Sequence, residues 1–368
     1  MSRLEPFGHG GDLVTASERF GIPPLQLLDF SANINPLGPP PSVCALLQNG
    51  LASAVHYPDP AHRSFRWALA ERLNVPDTWL LPGNGAAECM ALAILALQPE
   101  TVGVIQPCFS EYETLSRQFG AQVAVCRGDE QRQFKPEREE LRRLFEEADL
   151  VFVGTPNNPT GLLWERCELM EMAAWTEQTG TYLAVDEAFL DFVPEESQHS
   201  LLRELDSLPR VILIRSLTKM YAIPGLRLGY AVAQPALIER MKRKQVSWSV
   251  NGLALAAGEA CLRERQYEAK TRALIEQERA FLREVIEQQL GWQVWPGEAN
   301  FLLVRAPEGM TADWLQERLG AKGILIRNCS MYPGLTVRDF RIAVRTGEEN
   351  QRLADALTEV VSEWREAR

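Results

Sequence analysis

The sequence lacks several features that would assign it to whole classes of protein. Its cysteines form no C-x-x-C pair, which argues against a disulfide framework or a zinc site and indicates a reducing cytoplasm; they are scattered over positions 44, 89, 108, 126, 167, 261 and 329. The start of the chain, MSRLEPFGHGG, has no apolar segment, so we expect no secretory signal. The longest apolar stretch, Met90 to Leu97, is too short to span a bilayer.

An excess of positive charge is also missing. The net charge is −11 over 368 residues, which argues against nucleic-acid binding. An acidic chain can still bind anionic substrates, because a local arginine cluster dominates its own cleft. Internal repeats and low-complexity segments are absent too. A hydrophobic content of 46% is ample for a large core, so the chain is predicted to be a globular protein of more than one domain.

Apolar runs and helical patterns alternate through the middle of the chain. This alternation predicts βαβ units and a mostly parallel sheet, and therefore an α/β fold; the candidate strands are 102–105, 122–125, 150–153, 182–185 and 211–214. A long charged helical pattern at 267–289 leads into a smaller α+β domain, with strands near 292–295, 301–304, 324–326 and 340–344 and a final helix near 350–364. We therefore predict three segments: 1–45, an N-terminal arm and small-domain segment; 46–265, a large domain; and 266–368, a small C-terminal domain.

The most informative stretch reads RSLTKMYAIPGLRLG, from Arg215 to Gly229. Two hydroxyls and Lys219 follow a predicted buried strand, and Arg227 comes after a Pro-Gly turn. Ligands of α/β sheets bind at such strand ends, so this group can cradle a phosphate. Lysine forms Schiff bases with carbonyl compounds, so an aldehyde that carries a phosphate, pyridoxal phosphate, fits the set. A surface lysine in a loop explains the spacing equally well.

Three further stretches favour the cofactor. Asp186 ends an apolar run, and a pyridoxal site needs an acid to keep its pyridine nitrogen protonated. Asn158 lies in the turn TPNNPTG after another predicted strand. The Gly83-Asn84-Gly85 turn precedes a helix, where backbone N–H groups can bind a phosphate. Each motif is weak alone, but their order along the chain is specific.

In that order, the motifs resemble the fold-type I pyridoxal-phosphate enzymes of the aspartate aminotransferase superfamily over nearly the whole chain. The resemblance implies a mostly parallel large-domain sheet with helices on both faces, a smaller α+β domain, and a homodimer with shared active sites. It also implies that Lys219 carries the cofactor, that Asp186 partners the ring nitrogen, that Phe109 stacks on the ring and that Asn158 donates to O3′. The residues that it assigns to the cofactor phosphate are Gly85, Ala86, Ser216, Thr218, Arg227 and, from the neighbouring subunit, Tyr57. One departure is Phe189, which stands where many members have a tyrosine.

Two arginines near the C-terminus indicate the substrate. Arg341 is the superfamily's carboxylate-binding arginine by position, and Arg327 is then left for a second anion. A second anion on a small amino acid suggests a phosphate ester. We also expect His9, Gly10, Asn33 and Asn158 to contact the substrate. Which arginine meets which anion stays open at this stage, and Arg338 is interpreted as solvated.

Two families handle such substrates: the histidinol-phosphate aminotransferases and the L-threonine-O-3-phosphate decarboxylases of cobalamin biosynthesis. The decarboxylases are more similar in four features: His9-Gly10-Gly11, DFSANINPLG at 29–38, Phe189 within DEAFLDF, and WSVN at 248–251. Arg345 also resembles the decarboxylases. The resemblance therefore implies decarboxylation, with the aminotransferase as the alternative and a non-catalytic relative that binds the cofactor as a third. The residues alone leave decarboxylation and amino transfer open, because both need the same lysine and acid.

Overall fold

The computed structural model describes residues 4, 5 and 8–366. Its α-helices are α1 Leu13–Phe20, α2 Pro41–Gly50, α3 Arg63–Leu73, α4 Ala86–Leu97, α5 Ser110–Gln118, α6 Arg138–Glu147, α7 Arg166–Thr179, α8 Leu217–Met220, α9 Pro235–Lys242, α10 Gly252–Cys261, α11 Arg265–Glu284, α12 Ala312–Ala321 and α13 Gly347–Glu366. Its strands are β1 Leu28–Asp29, β2 Leu80–Gly83, β3 Thr101–Gln106, β4 Gln122–Arg127, β5 Leu150–Gly154, β6 Tyr182–Asp186, β7 Val211–Ser216, β8 Gly229–Val232, β9 Gln293–Val294, β10 Phe301–Arg305, β11 Ile324–Leu325, β12 Arg327–Asn328 and β13 Asp339–Ala343.

A seven-stranded sheet forms the centre of the molecule, in the order β2-β8-β7-β6-β5-β3-β4. Its strands run parallel except β8, which is antiparallel to both of its neighbours. The five predicted strands are all present and are confirmed as β3 to β7. Strand β2 was not predicted, because the Pro82-Gly83 pair at its end is typical of a turn.

Helices cover both faces of this sheet, as the α/β interpretation predicted. Along β5, Val151 and Val153 pack in the core cluster that contains residues of α6 and α7. The alternate residues Leu150 and Phe152 pack in the cluster that contains residues of α4 and α5. Successive side chains of a strand point to opposite faces, so a strand buried on both faces is apolar throughout. That explains why β5, β6 and β7 appear in the sequence as continuous apolar runs.

The C-terminal part folds around an antiparallel sheet with the order β12-β13-β10-β9. The predicted long helix is α11, which continues as a π-helical turn at Val285–Gln289. The strand predicted at 324–326 is divided at Ile326: β11 pairs in parallel with β1 near the N-terminus, and β12 joins the four-stranded sheet. The segment boundaries at residues 45 and 265 stay predictions.

No helix in the described part of the chain combines the length and the apolar character needed to cross a membrane.

Candidate active site

A cleft of about 400 Å³ opens at the carboxyl ends of the central parallel strands and reaches the smaller sheet. It collects predicted site residues from distant parts of the chain: His9, Gly10, Asn33, Ala86, Phe109, Asn158, Asp186, Ser216, Thr218, Lys219, Arg227, Arg327 and Arg341 line it. Gly85 adjoins the cleft through its contact with Arg227. Tyr57 lies outside the cleft of its own chain. Strand ends of one parallel sheet meet at one edge, which is why these motifs converge.

Lys219 lies in the short helix α8, just after β7 ends. Ser216, the last residue of β7, caps this helix: its Oγ accepts a hydrogen bond from the Thr218 N–H at 3.3 Å and lies 2.8 Å from Thr218 Oγ1. Burial lowers the pKa of Lys219 from 10.5 to about 8, and the cations Arg341 and Arg227 add to this effect. The lowered pKa increases the fraction of neutral amine near neutral pH, and neutral amine is the nucleophilic form.

Asp186 is the buried acid of the cleft and the last residue of β6. The Tyr112 hydroxyl donates to its Oδ2 at 2.7 Å, and the Ala188 N–H donates to its Oδ1 at 3.0 Å. Burial raises the pKa of Asp186 to about 6, although these two hydrogen bonds oppose the shift. The carboxylate is therefore mostly ionised at neutral pH, in a position to form a charge-assisted pair with a cationic nitrogen.

Tyr112 was not selected by the sequence analysis. It lies on α5 three residues after Phe109, and the two ring centroids are 5.7 Å apart. It also stacks on Phe152, with a centroid distance of 5.1 Å. A signal was present, because residues three apart share one face of a helix. A tyrosine three positions after the predicted ring-stacking residue is therefore expected beside it.

Arg227, Ser216, Thr218 and Ala86 at the start of α4 all line the cleft, and their side-chain and backbone donors can bind an anion. Gly85 has a φ of +84°, and a Cβ built there would lie 2.6 Å from Arg227 Nη2. Glycine at this position therefore permits both the turn and the approach of the guanidinium.

The turn before α4 differs from the prediction in one respect. We expected its own N–H groups to be available to a phosphate. The Asn84 N–H instead donates to the Glu88 carboxylate at 2.6 Å, and the Gly85 N–H donates to the Gly83 carbonyl at 2.8 Å. The backbone donors that face the cleft therefore belong to the first turn of α4, where Ala86 lines it.

Arg341 is the middle residue of β13, the strand predicted near 340–344. Its Nη2 donates to the Ser31 carbonyl at 2.8 Å, and its Nη1 donates to Asn158 Oδ1. Burial lowers the pKa of Arg341, with Arg327 contributing, but the group remains a cation at any physiological pH. The amide oxygen of Asn158 is thus engaged, which orients its NH₂ group as the donor side.

Arg327 begins β12 and lies opposite Arg341 in the strand register. Arg327 lines the cleft, and its binding of a second anion stays a prediction. Its Nη1 pairs with Glu5 Oε2 at 2.8 Å, and its Nη2 donates to the Gly8 carbonyl. Tyr332, which the sequence analysis did not select, lines the cleft beside it, with its ring centroid 5.6 Å from Arg327 Cζ.

The N-terminal arm forms one wall of the cleft. His9 Nε2 lies 2.9 Å from Glu111 Oε1, and about half of the His9 side chain is exposed. Gly10 packs so closely on Ser31 that a Cβ there would lie 2.5 Å from the Ser31 carbonyl oxygen. Asn33 Oδ1 is buried and has no hydrogen-bond partner among the described residues, so it is available to accept a hydrogen bond from a ligand.

Phe189 stands beside the lysine. The Lys219 Nζ lies 6.0 Å from its ring centroid, and Phe189 packs edge-on against Phe301 at 5.1 Å. The cleft therefore presents a phenyl ring where the superfamily often has a hydroxyl, as the sequence predicted.

Two residues of the sequence analysis lie away from the cleft lining. Tyr57 is exposed and stacks on Trp248, with centroids 4.6 Å apart. Arg345 donates to the Asp29 carbonyl at 3.1 Å and pairs with Glu349 at 2.8 Å. Arg345 thus connects the small domain to the N-terminal segment. In the sequence it served only as a similarity to the decarboxylases, with no site role predicted for it.

The residues present fit pyridoxal phosphate. Lys219 supplies an amine with a lowered pKa, Asp186 a buried carboxylate, and Phe109 an aromatic ring on the cleft wall. Arg227 with the start of α4 supplies donors for a dianion. The buried Tyr112–Asp186 hydrogen bond would hold the acid toward a ring nitrogen.

Comparison with known proteins gives matches over most of the chain. The model of the family "Aminotransferase class I and II" matches residues 26–357. A threonine-phosphate decarboxylase of Salmonella typhimurium is 41% identical over 355 residues, which cover 96% of both chains. A bifunctional protein of adenosylcobalamin biosynthesis from Leptospira interrogans is 31% identical over 96% of this chain and 41% of its own. The crystal structure of a histidinol-phosphate aminotransferase from Clostridium acetobutylicum superposes with a TM-score of 0.86 at 30% identity, over 92% of this chain and all of that one.

Proposed function

The chain belongs to the class I and II aminotransferase family, and on that premise we propose that it is a pyridoxal-phosphate-dependent lyase. Its substrate is L-threonine O-3-phosphate, and its products are carbon dioxide and (R)-1-amino-2-propanol O-2-phosphate. The aminopropanol phosphate serves cobalamin side-chain synthesis, in line with the Salmonella threonine-phosphate decarboxylase and the Leptospira protein of adenosylcobalamin biosynthesis. We place the enzyme in the cytoplasm, which suits its seven free cysteines.

The observation that carries this proposal is the pair of buried arginines in one cleft with Lys219. Arg327 and Arg341 face each other across β12 and β13, and both line the cleft. Two guanidinium groups side by side repel each other unless anions compensate them. An amino acid that carries both a carboxylate and a phosphate supplies two such anions. His9, on the arm beside Arg327, is a third donor for the phosphate.

The residues of the chain have distinct tasks in this reaction. Pyridoxal phosphate, when bound, supplies an electron-withdrawing ring that accepts the electron pair released at the substrate Cα. Asp186 keeps the ring nitrogen protonated, and Arg227, Ser216, Thr218 and the start of α4 hold the phosphate of the cofactor. Arg341 and Arg327 hold the substrate at both ends, so that the Cα–carboxylate bond is the one presented for cleavage.

The proton that replaces the carboxylate must reach Cα. The Cα–carboxylate bond breaks, carbon dioxide leaves, and a new C–H bond forms at the same carbon. Lys219 is the proposed donor, because it lines the cleft and its pKa of about 8 lies near the working pH. Decarboxylation differs from amino transfer in two respects: the Cα–carboxylate bond breaks instead of the Cα–H bond, and the new proton is delivered to Cα and not to the cofactor.

The test of the proposed reaction uses the purified holoenzyme with threonine phosphate and no keto acid. We expect stoichiometric carbon dioxide and aminopropanol phosphate, identified by mass. Free threonine lacks the phosphate and should react far more slowly in turnover as well as in affinity, because remote binding energy is used at the reacting carbon.

The same enzyme is then incubated with histidinol phosphate and 2-oxoglutarate. If this incubation forms glutamate, and threonine phosphate alone gives no carbon dioxide, the enzyme is a histidinol-phosphate aminotransferase. A cofactor absorbance band that responds to neither substrate would instead indicate a non-catalytic relative.

We also propose that the enzyme is a homodimer whose subunits share active sites. Exposed apolar side chains support this: Leu51, Val55, Tyr57, Val246 and Trp248. Tyr57 stacks on Trp248, and the segment Leu51–Val55 packs on α10, so these residues belong to neighbouring elements. Large apolar side chains that are exposed on neighbouring elements are typical of a protein interface.

Substitution of Tyr57 by phenylalanine tests the shared site. It keeps the ring that stacks on Trp248 and removes only the hydroxyl proposed to reach the neighbour's cofactor phosphate. Loss of one charge-assisted hydrogen bond should weaken cofactor binding by about 1.5–3 kcal/mol, measured by cofactor titration. Sedimentation of the active enzyme should give a dimer of 41.4 kDa chains. A fully active monomer would contradict the shared site.

A further inference from the structure

Glu5 contacts the substrate site from outside. Its carboxylate is 3% exposed, and its Oε2 lies 2.8 Å from Arg327 Nη1. Its Oε1 accepts a hydrogen bond from Gln316 Nε2 at 3.2 Å. Arg327 lines the cleft, whereas Glu5 is absent from the cleft lining. Glu5 therefore engages the guanidinium without occupying the space of a substrate anion.

The positive charges of Arg327 and Arg341 are stabilised by a nearby carboxylate. Arg327 and Arg341 are register partners in adjacent strands, and like charges placed directly opposite each other are unfavourable. Within residues 4, 5 and 8–366, Glu5 is the only carboxylate that forms an ion pair with Arg327. The carboxylate thus offsets one of two adjacent buried cations before any substrate arrives.

The same contact fixes the direction of the guanidinium. Arg327 Nη1 forms an ion pair with Glu5 that lacks hydrogen-bond geometry, and its Nη2 donates a hydrogen bond to the Gly8 carbonyl, so the arm contacts both terminal nitrogens of the planar group. A planar guanidinium held at two nitrogens cannot rotate freely, and it then presents the rest of its donor edge in a fixed plane. Gly8 is followed directly by His9, so one contact sets both groups that face the phosphate.

We propose that Glu5 is a positioning residue that orients Arg327, and with it the arm that carries His9, for the phosphate of the substrate. This role rests on the proposed function and adds an acidic residue to the recognition of an anion. Glu5 acts through Arg327 and never touches the substrate.

The variant Glu5→Gln keeps the shape of the side chain and removes its charge. We expect the KM for threonine phosphate to rise about tenfold, which corresponds to about 1.4 kcal/mol, because Arg327 loses the charge that orients it, with kcat changed less than about threefold. Turnover of free threonine, which has no phosphate group for Arg327 to bind, should not change. Glu18→Gln, which removes an exposed charge from α1, is the matched control and should leave both substrates unaffected.

Binding of inorganic phosphate to the holoenzyme, measured by calorimetry, gives a readout that does not depend on turnover. It should weaken in Glu5→Gln by about the same factor as the KM rises, while the melting temperature stays within about 2 °C. Unchanged phosphate affinity and KM in Glu5→Gln would overturn the proposal, and so would tighter binding, which would mean that Glu5 competes with the phosphate. If the parent enzyme releases no carbon dioxide from threonine phosphate, the proposed function fails, and the phosphate titration alone decides the role of Glu5.

Discussion

Replacing Lys219 by alanine is expected to lower kcat by at least about 10²–10⁴-fold, the range for loss of one positioned proton-transfer group. The lysine is proposed both to hold the cofactor and to deliver the proton at Cα, so the alanine variant loses both functions. Borohydride reduction of the parent holoenzyme, followed by peptide mapping, should place the pyridoxyl group on Lys219. The supporting observation is its burial in the cleft, where its pKa is lowered to about 8.

Lys270→Ala is the matched control, because that lysine is exposed on α11. It should keep full activity and the same labelled peptide. A pyridoxyl group on any other lysine, or an active Lys219→Ala enzyme, would remove Lys219 from the mechanism.

The second large effect is expected at Arg341. Its replacement by alanine leaves a substrate anion unpaired in a closed cleft, at a cost of about 2–5 kcal/mol. That cost corresponds to a fall in kcat/KM of roughly 30–5000-fold, because each 1.36 kcal/mol is a factor of ten. Arg341 also donates to Asn158 and to the Ser31 carbonyl, so its loss loosens the wall that joins the two sheets.

Arg341→Lys should recover only part of the loss, since an ammonium lacks the planar fork that matches a carboxylate. Arg338→Ala removes an arginine near the same strand but outside the cleft, and should behave like the parent enzyme. Near-normal kinetics in both Arg341→Ala and Arg327→Ala would contradict a doubly anionic substrate.

Much of the site could be predicted because it lies at the ends of buried strands. There a polar residue such as Asp186 or Ser216 interrupts an apolar run, and one parallel sheet brings such ends to a common edge. Phe189 could be placed in the same way, since it follows Asp186 within one short motif. The parallel sheet followed from the alternation of apolar runs and helices.

The residues that escaped prediction act through contacts that a sequence does not display. Tyr112 is the third residue of α5. Its spacing from Phe109 indicates that the two rings are close, but nothing in the sequence indicates its hydrogen bond to Asp186. Glu5 and Arg327 lie near opposite ends of the chain, and nothing in either segment indicates that they pair. The use of the Asn84 N–H by Glu88 depends on the exact geometry of a turn.

The register of Arg327 against Arg341 is a further case. Both arginines were recognised as anion-binding candidates, but a sequence shows only that they occupy neighbouring strands. Their direct opposition depends on how β12 and β13 align, and a shift by one residue would turn one side chain to the other face. The two substrate anions could be inferred from the sequence, whereas the direct opposition of the two arginines needed the structure.

The parallel pairing of β1 with β11 has a consequence for biosynthesis. Leu28 pairs with Ile324, so β1 is synthesised roughly 300 residues before the strand with which it pairs. At a synthesis rate of roughly 5–20 residues per second, that interval lasts about 15–60 s. Meanwhile the strands of the seven-stranded sheet, which end at Val232, have all left the ribosome and can fold. The N-terminal arm, with His9 and Glu5, is therefore synthesised long before β11 and Arg327, which it contacts, and it is among the last parts to dock.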